Sequence, residues 1–197
     1  MKGRVLIGLL AFALAGCAAA PAPEVPALNV IELQNPGFEL DPVQGSHCAP
    51  KWECSAHSDA RSFAYTVDAS QATAGTRSLR IDRVRNEPWG VIAQSMRDPA
   101  LRGAKVRFSL AVRTEGADGE GAGPFLQFHD ASGRGIGFVK KLAKGTSAWQ
   151  RLSVEFVVPA ATYLVEVGAT QEGPGSAWVD DARLELLELA PSGKNPV

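Results

Sequence analysis

Apolar and polar side chains alternate with period two along short stretches of this chain, and that alternation limits its architecture more than any other feature. In residues 105–114, Val106, Phe108, Leu110 and Val112 share one face, while Lys105, Arg107, Ser109, Ala111 and Arg113 share the other. Successive side chains of a β-strand point to opposite sides, so the pattern reads as a strand with one buried face. Residues 150–158 repeat it, with Leu152, Val154, Phe156 and Val158 against Arg151, Ser153 and Glu155. Further strands are expected at 30–33, 61–67, 78–83, 89–95, 124–130, 136–139, 163–169 and 176–187. The separators carry turn chemistry: Asp118-Gly119, Ser132-Gly133, Lys144-Gly145 and Glu172-Gly173-Pro174-Gly175. A Gly-rich turn holding Glu115 and Glu120 is expected over 114–123. No stretch has a helical period of useful length, though 58–62 and 96–101 have room for one turn each. Strands that each bury one face close most simply as two packed antiparallel sheets, an all-β sandwich in one domain over 29–189 with a flexible tail at 190–197.

Ahead of the strands lies an address. Lys2 and Arg4 form a short basic region, and 5–14 is an apolar run. A membrane-spanning helix needs about 20 apolar residues, so this run fits a signal peptide over 1–16 instead. It ends in Leu14-Ala15-Gly16-Cys17, which resembles a bacterial lipobox. The resemblance implies cleavage before Cys17 and lipidation of its thiol and new amine. More than one buried acyl chain, at about 0.8 kcal/mol per CH₂, makes such anchoring stable. Ala18, where an Asp would mark retention in the inner membrane, implies the periplasmic side of the outer membrane. Residues 17–28, rich in Ala and Pro, read as an extended tether of roughly 30 Å at about 3.1 Å per residue. Lys and Arg total 20 against 21 Asp and Glu, so no basic footprint for nucleic acid is present. The membrane is therefore expected as a partner through the lipid only.

The chain has three cysteines. With Cys17 committed to lipid in an oxidising compartment, Cys48 and Cys54 are expected as a disulfide that presents Trp52 on a stapled loop. The rival is a metal site that recruits His47 and His57. Trp52 itself reads either as a ligand contact or as a plug at one end of the sandwich.

Three motifs then stand in order: Asn35-Pro36-Gly37-Phe38-Glu39, Ala74-Gly75-Thr76-Arg77-Ser78-Leu79-Arg80, and Trp178-Val179-Asp180-Asp181-Ala182-Arg183-Leu184. Together they resemble the galactose-binding-domain-like jelly rolls, in particular carbohydrate-binding modules of families 4, 9 and 22. The resemblance spans residues 35–188 and implies a two-sheet antiparallel jelly-roll β-sandwich. It also implies a structural Ca²⁺ held by Glu39, Asp180 or Asp181, and backbone oxygen near Ser78. The alternative is that these carboxylates pair with Arg77, Arg80 or Arg183, or accept backbone N–H bonds.

No nucleophile elbow, HExxH, phosphate loop or dinucleotide fingerprint occurs, so the chain reads as a non-enzyme. The resembled modules hold glycans on a sheet face or loop rim. The outward registers here offer Arg113, Gln127, His129 and Glu166, with Gln94 as an addition, and Trp52, Trp89 and Phe138 as stacking candidates. Trp149 and Trp178 are expected in the core. The expected partner is a glycan or peptidoglycan fragment, or else an envelope protein.

Overall fold

A computed structural model describes residues 26–191 of the chain. Cys17, the signal segment, most of the tether and residues 192–197 lie outside them. The chain forms β1 (Asn29–Ile31), β2 (Glu53–Ala56), β3 (Phe63–Asp68), β4 (Ser78–Arg83), β5 (Trp89–Met96), β6 (Lys105–His129), β7 (Gly135–Lys140), β8 (Ala143–Val157), β9 (Leu164–Glu172) and β10 (Ser176–Glu188). The described helices are single 3-10 turns at Ala60–Ser62 and Pro99–Leu101, within the two segments expected to hold one turn. Asp59 and Asp98 cap them by accepting the N–H groups of Arg61 and Ala100.

All pairings are antiparallel, and the fold is a jelly roll. One sheet runs β2-β5-β9-β6-β7. The other runs β8-β6-β10, with β4 and then β3 on the far edge of β10 and β1 beside them on that edge. Strand β6 belongs to both. Its first half pairs β8 and β10, and its second half pairs β9 and β7. The alternating apolar faces meet between the sheets, where Phe38, Leu79, Ile81, Ile92, Phe108, Leu126, Phe128 and Leu184 are buried.

The Gly-rich run was expected to be a turn, and the structure corrects this. Residues 114–123 continue β6 through register shifts at Thr114, Ala117 and Ala122. Gly121 has φ +106°, and a Cβ there would lie 2.1 Å from the Ala143 carbonyl oxygen. Only glycine lets the strand bend so close to β8 as it passes from one sheet to the other. Strand β2 was not expected, and β8 starts at Ala143, earlier than its alternation suggested.

Candidate functional site

The outer face of the β2-β5-β9-β6-β7 sheet carries a groove of about 450 Å³. Register builds its floor in cross-strand rows. Ser95, Glu166, Gln127 and Phe138 form one, Ala93, Gly168, Phe125 and Lys140 the next, and Ser55, Val91, Thr170 and Gly123 a third. Gly168 leaves the middle of the floor without a side chain. A Cβ there would sit 2.0 Å from the Ile92 carbonyl oxygen, so the close approach of β5 keeps the position open.

Aromatic rings stand on both flanks. Trp89, at the start of β5, is 36% exposed, and Phe138 on β7 is 50% exposed. Phe125 backs Phe138 at 6.1 Å between ring centroids. Three strand spacings separate β5 from β7, about 14 Å, and the offset between their rows adds roughly 20 Å along the strands. The groove therefore has the reach of an extended oligomer. Between the rings lie Gln127, Glu166, Lys140 and Glu172. Lys140 donates to both Glu172 oxygens at 2.6 and 2.5 Å, and His129 Nε2 meets Glu166 Oε2 at 2.5 Å. The first pair reaches over β6 from β7 to β9 and the second joins β6 to its neighbour β9, so both fix charged side chains across the sheet.

The expected binding residues divide by face. Trp89, Gln127 and Glu166 come together in the groove, and His129 joins Glu166 at its end. Arg113 does not. It sits in the first half of β6, opposite Trp178 on β10 in the other sheet, with its guanidinium 4.4 Å from the Trp178 ring. Arg80 covers the same ring at 4.9 Å, and the indole N–H donates to Asp68. Trp178 is thus buried on an outer face, sandwiched by arginines, and not in the intersheet core. Gln94 falls on the opposite register from Trp89 and Val91. Its amide nitrogen donates to the Gln34 carbonyl and its oxygen accepts the Gln34 N–H, which ties down the chain after β1.

Trp52 is likewise corrected from ligand contact to core plug. It is 6% exposed, stacks on Phe38 at 5.1 Å and donates its indole N–H to the Asn35 carbonyl. Cys48 and Cys54 are bonded to each other, with Cα atoms 5.5 Å apart, and close the loop that carries it. His57 lies away from that bridge, edge-on to Trp89, with Nδ1 3.4 Å from Glu87. Ser58 donates its hydroxyl to the same carboxylate. Glu87 is the middle member of this trio, so Ser58 hydrogen-bonds to the carboxylate and not to the imidazole. Trp149 is half-buried.

The acidic ends of the domain converge on the loop 73–77. Glu39 Oε1 accepts the N–H groups of Thr76 and Arg77, and Oε2 accepts the Thr76 hydroxyl. The Thr76 amide, with these partners, holds the Glu39 carboxyl below its ordinary range despite the opposing effect of burial. Asp180, fully buried, accepts the Thr73 N–H and hydroxyl and the Ala74 N–H on one oxygen and the Asp181 N–H on the other. Asp181 instead pairs with Arg151 and Arg183, and Ser78 donates its hydroxyl to Gln71. Glu39, Ser78, Asp180 and Asp181 thus do not form the shell of roughly six to eight free oxygens that Ca²⁺ takes. Among the described residues no three His, Cys, Asp or Glu gather as metal ligands. The residues fit the hydrogen-bonded reading, a clasp between the first and last segments of the domain.

No protein-family model matches the chain, and no curated protein matches it. The fold nonetheless resembles that of solved carbohydrate-binding modules. The CBM22-1 xylan-binding domain from Paenibacillus barcinonensis Xyn10C superposes with a TM-score of 0.57 at 20% identity, over 78% of this chain and 93% of that one. Another xylan-binding domain of family 22 gives 0.53 at 18% identity, over 84% and 97%. A family 4 module gives 0.52 at 13% identity, over 79% and 99%. At these identities the likeness is one of fold.

Proposed function

We propose that this protein is a lipid-anchored lipoprotein of the cell envelope that holds a glycan or peptidoglycan fragment in the groove, without catalysis. One observation carries the reading: exposed rings of Trp89 and Phe138 flank a floor whose polar groups, Gln127 foremost, can both donate and accept. A sugar offers C–H faces that stack on such rings and hydroxyls that need both kinds of partner. The fold shared with carbohydrate-binding modules supports the same conclusion. The lipobox supports an anchor at Cys17, on the periplasmic side of the outer membrane, with the tether holding the groove clear of the lipid.

Affinity electrophoresis through a panel of soluble polysaccharides and peptidoglycan digests tests the binding. The wild type should be retarded by at least one, and Trp89→Ala should migrate freely while still melting like the wild type. If no glycan retards the wild type, the groove is not a sugar site, and an envelope protein becomes the ligand to seek.

A further inference from the structure

The groove does not end at Glu166. That residue also lines a second cavity of about 410 Å³, walled by Arg97, His129, Tyr163, Leu164 and the turn 130–133. A chain lying along the groove past Gln127 therefore runs into this cavity. Two carboxylates face it, and both are committed. Glu166 is taken by His129 at 2.5 Å. Asp130 accepts the N–H groups of Ser132 and Arg134 and pairs with the Arg134 guanidinium at 3.1 Å. Asp98, next to Arg97, is turned to its 3-10 turn and accepts the Ala100 N–H.

Arg97 differs from these. Its guanidinium lies over the face of Tyr163, 4.5 Å from the ring centroid, and among the described residues no carboxylate pairs with it. A cation–π contact uses the flat face of a guanidinium and leaves the in-plane N–H fork free. That fork matches a carboxylate through two parallel hydrogen bonds. We infer that the cavity is a carboxylate subsite, so that the groove takes an acidic glycan. The inference rests on the glycan reading of the groove. Such a carboxylate has two sources of the same chemistry: a uronate in a polysaccharide, or a free carboxyl on the peptide stem of a peptidoglycan fragment.

Calorimetric titration separates them. A uronate-bearing polysaccharide is offered with its carboxylates free and as the methyl ester, and a muropeptide with its carboxylates free and amidated. In one pair the free form should bind about tenfold more tightly than the blocked form, which identifies the source. Arg97→Gln should erase that preference, bringing the free form down to the affinity of the blocked one. Equal binding of free and blocked forms, or a preference that survives Arg97→Gln, overturns the subsite while the groove reading stands. If no acidic, blocked or neutral glycan binds at all, the groove reading itself fails and takes the subsite with it.

Discussion

Trp52 and Trp89 carry the same indole and have opposite roles, which burial separates. Truncating a buried aromatic removes its contacts and leaves a cavity, so Trp52→Ala should destabilise the domain by about 3–5 kcal/mol. Trp89→Ala at the groove flank should lower glycan affinity while the melting temperature stays near that of the wild type; denaturant melts beside binding isotherms check both. Asp180 offers a third contrast. Asp180→Ala would remove the buried acceptor that holds the exposed Thr73 and Ala74 N–H groups, and each such hydrogen bond to a charged group contributes about 1.5–3 kcal/mol. Because N–H and hydroxyl groups already hold Glu39 and Asp180, adding a chelator should leave the melting curve unmoved, and a clear downward shift would place an ion there. At this scale the sequence was legible where alternation decided a face. It put Gln127 and Glu166 outward, as they are. It could not say that Arg113 belongs to the other sheet, because that follows from pairing partners far along the chain. Nor could it see that two arginines would bury Trp178 on an outer surface.

Strand β6 is the element on which the site depends, since it carries Gln127 and His129 in one sheet and Arg107 and Arg113 in the other. Its glycines read as a turn because glycine marks both turns and bends, and only the register with β8 tells them apart. The disulfide element was legible from the cysteine count and an expected oxidising compartment, while β2, which starts at Glu53 inside the stapled loop and runs on to Ala56, offered too little alternation to be seen. Replacing Cys48 and Cys54 together by Ala should cost about 2 kcal/mol for so small a loop. That corresponds to a melting temperature lower by roughly 4–8 °C in a domain of this size. Glycan affinity should survive, because the loop's tryptophan faces the core. The outer ladder of the second sheet adds a pH term. Lys105, then Arg107, holds the Glu155 carboxyl below its ordinary range. Asp68 is also lowered: burial raises it, but hydrogen bonds from Ser70 and Trp178 outweigh that. Carboxylates lowered by folding add stability that is present above their unfolded values, about pH 4, and is lost as pH falls through the folded ones. The melting temperature should therefore hold from neutral pH to about pH 5 and drop below pH 4, and Glu155→Gln should flatten part of that drop.

At the scale of the whole molecule, the architecture was the most legible feature. Its all-β character follows from local alternation, and its closure follows from motifs at its two ends, where Glu39 and Asp180 meet one loop. The groove was only partly legible, since Phe125, Lys140 and Glu172 enter it through cross-strand neighbours that no local pattern marks. The anchor is a separate proposition, checked by labelling with radioactive palmitate: incorporation should require Cys17, and Cys17→Ala should release the protein from membranes. The central claim, that a glycan lies across the β2-β5-β9-β6-β7 sheet, is tested most directly by following the indole N–H signals of the four tryptophans by nitrogen-15 NMR as a retarding glycan is added. The Trp89 signal should move in proportion to occupancy while those of Trp52 and Trp178 hold still. Movement at Trp178 with none at Trp89 would place the ligand on the wrong sheet and contradict the account.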